Sequence, residues 1–394
     1  MMRSLERGTV SAVLEGELLV EVNGELERAM IEPSLAQTVE VGDTVLLNTT
    51  GVRLRLGTGG VHFVVSIEGK SPSTLSGDGH IIKLRYTPQQ MAVHAVEEQS
   101  HPMHAVMTEA ETLDGTPVII CELHSMIPAV AMSFHHEMSN GGGENEGEEI
   151  EDTAQPRVVY VMTDGGALPM HFSKTIATLK KLGLLTATVT VGHAYGGDLE
   201  AVNLYSGLLA AKHVLQADII LCGMGPGIVG TGTRYGHTGI EVGQAVNAVH
   251  VLEGEAIVVP RLSFADKRER HQGLSHHTLT ALGRVALASA TVPLPNLDDA
   301  QATAVWKQIT QSGLHLRHRL VGLSGRSILD ASQRFPVPLR TMGRTLSDDP
   351  AFFLAAGAAG EWAARQKKRP QKKRALLSGS SKSNSHSVPK IVEA

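Results

Sequence analysis

From Val158 to Val259 the chain repeats one unit, and that repeat limits what it can become. Each unit is an apolar run, a glycine-bearing loop and a stretch with helical period. The runs Val158–Met162, Thr186–Val191, Asp218–Cys222 and Ala256–Val259 read as strands. Ser173 is placed to cap a helix through Leu182 that Gly183 ends. Asp198 is expected to cap a helix through Val214, with Leu204, Leu208 and Leu215 on one face. Thr238-Gly-Ile-Glu241 reads as a capping box, and Val242, Ala245, Val246 and Val249 follow at core-face spacing. Strands alternating with helices imply right-handed crossovers and a parallel sheet covered on both faces. The fold class read here is α/β, a parallel-sheet Rossmann-like domain with a small N-terminal β-barrel or sandwich.

The small β domain spans residues 1–70. Thr9–Leu14, Glu17–Val22, Glu27–Ile31, Thr44–Leu47 and Val61–Val65 are short strands parted by glycine turns, expected as an antiparallel barrel or sandwich. The α/β domain runs from 80 to 362. Its first part reads as a strand at Ile81–Tyr86, a helix opened by Thr87-Pro88, and buried strands at Val118–Cys121 and Ala129–Phe134. An acidic flexible loop is expected near 139–155. Later helices run from His276/His277 to Ala288, Asp298 to Gln311 and Asp348 to Gln366, with further strands at Val292–Leu294 and Arg319–Leu323. A disordered basic tail occupies 366–394.

Composition narrows the function classes. Aromatics make up only 4% of the chain, so a core drawn from its 42% hydrophobic residues must be mainly aliphatic, as close strand–helix packing needs. The net charge of −5, with six acids between Glu144 and Asp152 and six bases between Lys367 and Arg374, argues against a dedicated nucleic-acid surface. Cys121 and Cys222 each end an apolar run and read as buried free thiols. No run is long enough for a membrane span, and Met-Met-Arg-Ser-Leu-Glu-Arg is not a signal peptide, so a cytoplasmic protein is expected.

Ligands of an open parallel sheet bind beyond the carboxyl ends of its strands. Four loops on that edge carry glycine or polar groups, and one shared pocket is expected. They supply Asp164, Gly165 and Gly166; His193; the run Gly223 to His237; and Arg261 to Asp266. Gly225, Gly227 and Gly230 match G-x-G-x-x-G, but the helix starts too late for a dinucleotide site, and no Gly-Lys-Ser/Thr occurs. Backbone amides of the loop, with Gly232, the Thr231 and Thr233 hydroxyls and Arg234, suggest a cradle for a small anionic ligand.

A second constellation lies in Arg261–His277, RLSFADKRERHQGLSHH. With His237 it supplies His271, His276, His277 and Asp266 as candidate catalytic acids, bases or orienting groups. No regular metal spacing occurs, and adjacent histidines are expected to point apart, so the metal assignment stays open and no cofactor is named. No Ser lies in G-x-S-x-G, and neither Cys has a local catalytic partner.

The run GDLEAVNLYSGLLAAKHVLQADIILCGMGPGIVGTGTRYGHTGIEVGQAVNAVHVL, with DGGALP (Asp164–Pro169) and SFADKRERHQGLSHHT (Ser263–Thr278), resembles the DUF3866 family of uncharacterised bacterial proteins. The likeness spans roughly residues 5–360 and implies no activity. Three readings therefore stay open: an enzyme with histidine acid–base chemistry on an anionic or nucleotide-like metabolite, a non-catalytic ligand-sensing module, and a structural assembly protein. A homo-oligomer is compatible with each. Specific nucleic-acid and membrane partners are not expected.

Overall fold

The computed structural model describes residues 3–56, 59–70, 78–140 and 155–368. The chain divides between Asp78 and Gly79 into two compact units. The stretch between Glu144 and Asp152 and the tail beyond Lys368 lie outside the described residues.

The first unit is a closed barrel of β1 (Leu5–Leu14), β2 (Glu17–Val22), β3 (Glu25–Met30), β4 (Thr44–Asn48) and β5 (Val61–Ile67), ordered β1-β2-β3-β5-β4. Alternation builds it: in β4 the side chains of Val45 and Leu47 turn inward beside Leu18, Val20 and Val22 of β2. The barrel is not wholly antiparallel, because β3 and β5 pair in parallel.

In the second unit, β6 (Ile81–Lys83) and β7 (Met91–Val93) form a hairpin. Its strands are shorter than the apolar pattern suggests, because Leu84 and Tyr86 take positive φ and turn the chain. The helix expected from Thr87 is absent; the Thr87 hydroxyl donates to the Leu84 carbonyl and closes a turn instead. Eight further strands make the sheet: β8 (Pro117–Cys121), β9 (Val158–Thr163), β10 (Ala187–Thr190), β11 (Leu199–Glu200), β12 (Ile219–Met224), β13 (Glu255–Val259), and, beyond a two-residue pair β14 (Leu262–Ser263) and β15 (Gly273–Leu274), β16 (Thr291–Pro295) and β17 (Arg319–Leu323). Their order is β11-β10-β9-β12-β8-β13-β16-β17, and every neighbouring pair is parallel. Strands β8, β9 and β12 are buried throughout, which is why they read as unbroken apolar runs.

Helices cover both faces. One face carries Ile127–Ser139, Lys174–Lys181, Ser327–Arg334 and Pro350–Lys368. The other carries Leu204–Leu209, Glu241–Val251, His276–Thr280 and Asp299–Ser312. Ala129–Phe134, expected as a strand, lies inside the Ile127–Ser139 helix. That segment is buried on all sides, so no polar face reveals its period, and Pro128 in the first turn marks the start. The closing helix continues through Gln366, itself buried, to Lys368, past the point where the tail was expected. Gly360 lets this helix meet Ile127–Ser139 closely: a Cβ there would stand 2.7 Å from the Val130 carbonyl oxygen.

Two caps differ from expectation. Asp198 caps no helix; it accepts from the Thr188 amide and hydroxyl and pairs with Lys180. Asn203 caps instead, in a box with Ser206. Thr238 does not cap either: a 3-10 turn over Thr238–Ile240 precedes the Glu241–Val251 helix, and the Glu241 carboxylate reaches across to β9. Ser173 does cap, accepting from the Ile176 amide.

Candidate functional site

The carboxyl edge of the sheet holds a cavity of about 280 Å³. Thr163 and Asp164 at the end of β9, Gly192 after β10, and Gly223 and Met224 at the end of β12 form one side; Asn203, Glu241 and Gln244 form the other. Its polar wall is acidic and amidic. The Thr163 hydroxyl donates to Glu241 Oε2 at 2.7 Å. Burial nevertheless lifts the Glu241 carboxyl above the usual carboxylate range, and the nearby Asp164 charge pushes the same way.

Beside β8 and β13 the edge holds a second, more buried cluster. Glu122 follows β8 directly. Its Oε1 accepts from His277 Nδ1 at 3.1 Å and Arg261 Nη1 at 3.3 Å, and its Oε2 accepts from the Thr278 hydroxyl at 2.8 Å. Burial alone would raise this carboxyl, but the His277 hydrogen bond, the Arg261 charge and the Thr278 hydroxyl together hold it below its ordinary value. Around it His237 stacks on His277, ring centroids 3.8 Å apart and nearly parallel, and His276 stands 4.4 Å from His277. His237 Nε2 donates to the Arg234 carbonyl at 3.1 Å, which leaves Nδ1 buried and unpartnered; His276 Nε2 is buried and unpartnered too. One nitrogen from each of His237, His276 and His277 lies within 4.8 Å of the others, so these three could hold a metal ion. His271 stands aside, its Nδ1 paired with the Ser275 hydroxyl at 2.7 Å. Burial first, then the Arg261 charge, lowers His271 to about 3, and burial followed by the neighbouring histidines lowers His276 to about 4. Both rings are therefore neutral near pH 7.

A model of the family described as a protein of unknown function, DUF3866, matches residues 28–360. The chain belongs to that family. No curated protein matches it. Among solved structures, YjeQ from Thermotoga maritima aligns at 8% identity with a TM-score of 0.13, over 78% of this chain and 65% of that one. The DUF3866 chain thus matches just under two thirds of that protein's length, and a TM-score so low carries no argument about fold or role.

In the DUF3866 chain the four expected loops do not share one hollow. Those after β9, β10 and β12 reach the cavity, whereas the loop after β13 joins β8 at the histidine cluster. Asp164 lines the cavity; Gly165 lies against Glu241, and Gly166 packs backbone to backbone on Gly225, held by the Ala167 amide donating to the Pro226 carbonyl at 2.7 Å. His193 turns away from the cavity to accept from the Leu84 amide at 3.1 Å, and its own amide donates to Asp164. Gly223 lines the cavity, but Gly227, Gly230, Thr231, Gly232, Thr233 and Arg234 form an exposed loop. Within it the Thr231 hydroxyl donates to the Gly236 carbonyl and Thr233 Oγ1 accepts the Gly236 amide, so both hydroxyls brace the loop itself. Asp266 is committed as well: it grips Arg268 at 2.8 and 2.9 Å and lies 3.5 Å from Arg344, and these partners, Arg268 foremost, hold its carboxyl far below the usual range.

His237, His276 and His277 do come together, with His271 alongside. The expectation that adjacent histidines point apart fails, because the turn into the His276–Thr280 helix aims both rings at His237. Glu122 was not singled out from sequence. An acid set directly after the apolar run Val118–Cys121 is the signal that could have found it.

Proposed function

We propose that the protein is an enzyme that acts on a small anionic, nucleotide-like metabolite at the carboxyl edge of its parallel sheet. One observation carries the reading: a buried carboxylate, a buried guanidinium and three convergent imidazoles occupy the strand ends beside a ligand-sized cavity. Burying so many polar groups costs stability, and such concentrations recur where chemistry needs them. The cavity wall supports a hydroxyl-bearing portion of the substrate, since Asp164 and Glu241 offer carboxylate oxygens, and Asn203, whose Oδ1 caps the following helix, its amide NH2 to sugar-like hydroxyls. The exposed Arg234 and Arg270, which flank Gly232 on the same edge, support an anionic end. His276 and His277 are the groups for the reacting atoms, with Glu122 orienting His277. The two buried, unbridged cysteines support placing this activity in the reducing cytosol of a bacterium.

A thermal-shift screen of nucleotides and sugar phosphates, followed by product analysis of each stabilising compound, tests the reading. A compound that stabilises the wild type and is converted by it, but not by His276→Ala, is the expected result. Stabilisation without conversion by the wild type would favour a sensing role instead. No stabilising compound across those classes would remove the ligand reading.

A further inference from the structure

We infer that His237, His276 and His277 form a binding site for one divalent transition-metal ion of the zinc class. The inference deepens the enzymatic reading and rests on it for its biological purpose, though metal binding itself is measured without turnover.

Three independent observations converge. The first is placement: one nitrogen from each ring lies within 4.8 Å of the other two. Nitrogens around a tetrahedral ion with bonds of 2.0–2.1 Å sit about 3.3 Å apart, so the set closes once the His237 and His277 rings turn out of their parallel stack to face one ion.

The second is hydrogen bonding. Each outer partner leaves one nitrogen for the centre. The Glu122 carboxylate takes Nδ1 of His277 and the Arg234 carbonyl takes Nε2 of His237. Metal-bound histidines characteristically hand their second nitrogen to a carboxylate or backbone carbonyl, which fixes the tautomer and aims the free lone pair. His237 Nδ1 is freed in this way, His276 Nε2 lies beside it in the cluster, and both are buried with no hydrogen-bond partner. A buried polar atom without a partner is costly unless something fills its valence.

The third is clearance. A Cβ on Gly230 would stand 3.1 Å from His277 Nε2, and one on Gly239 would stand 3.1 Å from His237 Nδ1. Any larger residue at either position would crowd the ligating nitrogens. These glycines therefore keep the centre of the cluster clear, whereas Gly227 and Gly232 of the same loop serve turns of positive φ.

Three imidazole nitrogens select zinc, iron, cobalt, nickel or copper over magnesium or calcium, which prefer oxygen ligands. No fourth protein ligand stands ready among the described residues. Among those residues only His237, His276 and His277 bring their nitrogens within reach of one another, and Glu122 is spent on His277, Arg261 and Thr278. A site with three protein ligands keeps a position for water or substrate, unlike a closed structural site.

The test uses the full chain, freed of metal with a chelator and titrated with Co²⁺ and, by calorimetry, with Zn²⁺. The wild type is expected to bind one equivalent per chain and to develop the visible absorption of cobalt in a nitrogen-rich site. His276→Ala and His237→Gln, each checked for native circular dichroism, should lose the cobalt spectrum and bind Zn²⁺ at least about 100-fold more weakly; His193→Ala, outside the cluster, should match the wild type. A wild type that binds neither ion stoichiometrically, or folded variants that bind like the wild type, overturns the site. The wild-type titration alone suffices if the variants do not fold. If metal binding fails while a metabolite still stabilises and turns over, the metal site falls and the enzymatic reading stands; if one ion binds and no metabolite does, the reverse holds.

Discussion

Glu122 and His277 are 155 residues apart in the chain, and their carboxylate and imidazole meet at 3.1 Å with both groups buried. The pair ties the end of β8 to the helix that follows β15, and it sets Arg261 between them. Removing one partner of a buried charged network leaves the other without compensation. Glu122→Ala should therefore cost about 3–5 kcal/mol in denaturant unfolding, because Arg261 keeps its charge and loses its closest acceptor. A loss below about 1 kcal/mol would mean that water or Asp266 replaces the carboxylate.

Glu241 links the cavity to pH. Burial raises its carboxyl above the ordinary 4.5, so the native state holds this proton more tightly than the unfolded chain does. The stability it contributes is complete below 4.5 and is lost as pH rises through the native value. Glu241→Gln removes that loss. The variant should melt higher than the wild type in mildly alkaline buffer, and the gain should shrink as pH falls toward the ordinary glutamate range. A gain independent of pH would place its cause elsewhere.

Gly239 tests the clearance around the cluster. A Cβ there would lie 3.1 Å from His237 Nδ1, 3.3 Å from Glu122 Cγ and 3.4 Å from His277 Nδ1. Gly239→Ala should displace the rings, weakening Co²⁺ binding by about tenfold or more. The fold should lose only about 1–3 kcal/mol. Unchanged cobalt binding would show that the rings move aside freely.

Gly360 tests the other face of the sheet. Its missing side chain lets the closing helix approach Val130 and Ser133 of the Ile127–Ser139 helix. Gly360→Val should cost at least about 1–3 kcal/mol, read from the denaturation midpoint, because neither helix has room to retreat. A neutral result would mean that the helices are not in contact at this point.

How much was legible in the sequence depended on what each segment buries. The strands around Val161, Val189 and Leu221 were readable because parallel strands covered on both faces become short apolar runs with turn residues after them. Ala129–Phe134 shows the limit of that rule, since a helix buried on all sides yields the same run. Asp198 reads as a cap from its place before the helical stretch, but its tertiary partners Lys180 and Thr188 hold it elsewhere, and Asn203 caps instead. The histidines of the cluster were visible as residues, but their convergence was not. It depends on a turn that aims two adjacent rings the same way and on an acid from β8 that no local pattern connects to them.

The Pro350–Lys368 helix is buried along nearly all its length and packs on the Ile127–Ser139 helix near the middle of the sheet. During synthesis, the Ile127–Ser139 part of the surface it covers is made long before the cover emerges, whereas β13, β16, β17 and the Ser327–Arg334 helix complete that surface only shortly before it. Until the closing helix is made, the apolar side of the Ile127–Ser139 helix stays bare in the nascent chain, a surface prone to aggregation during translation.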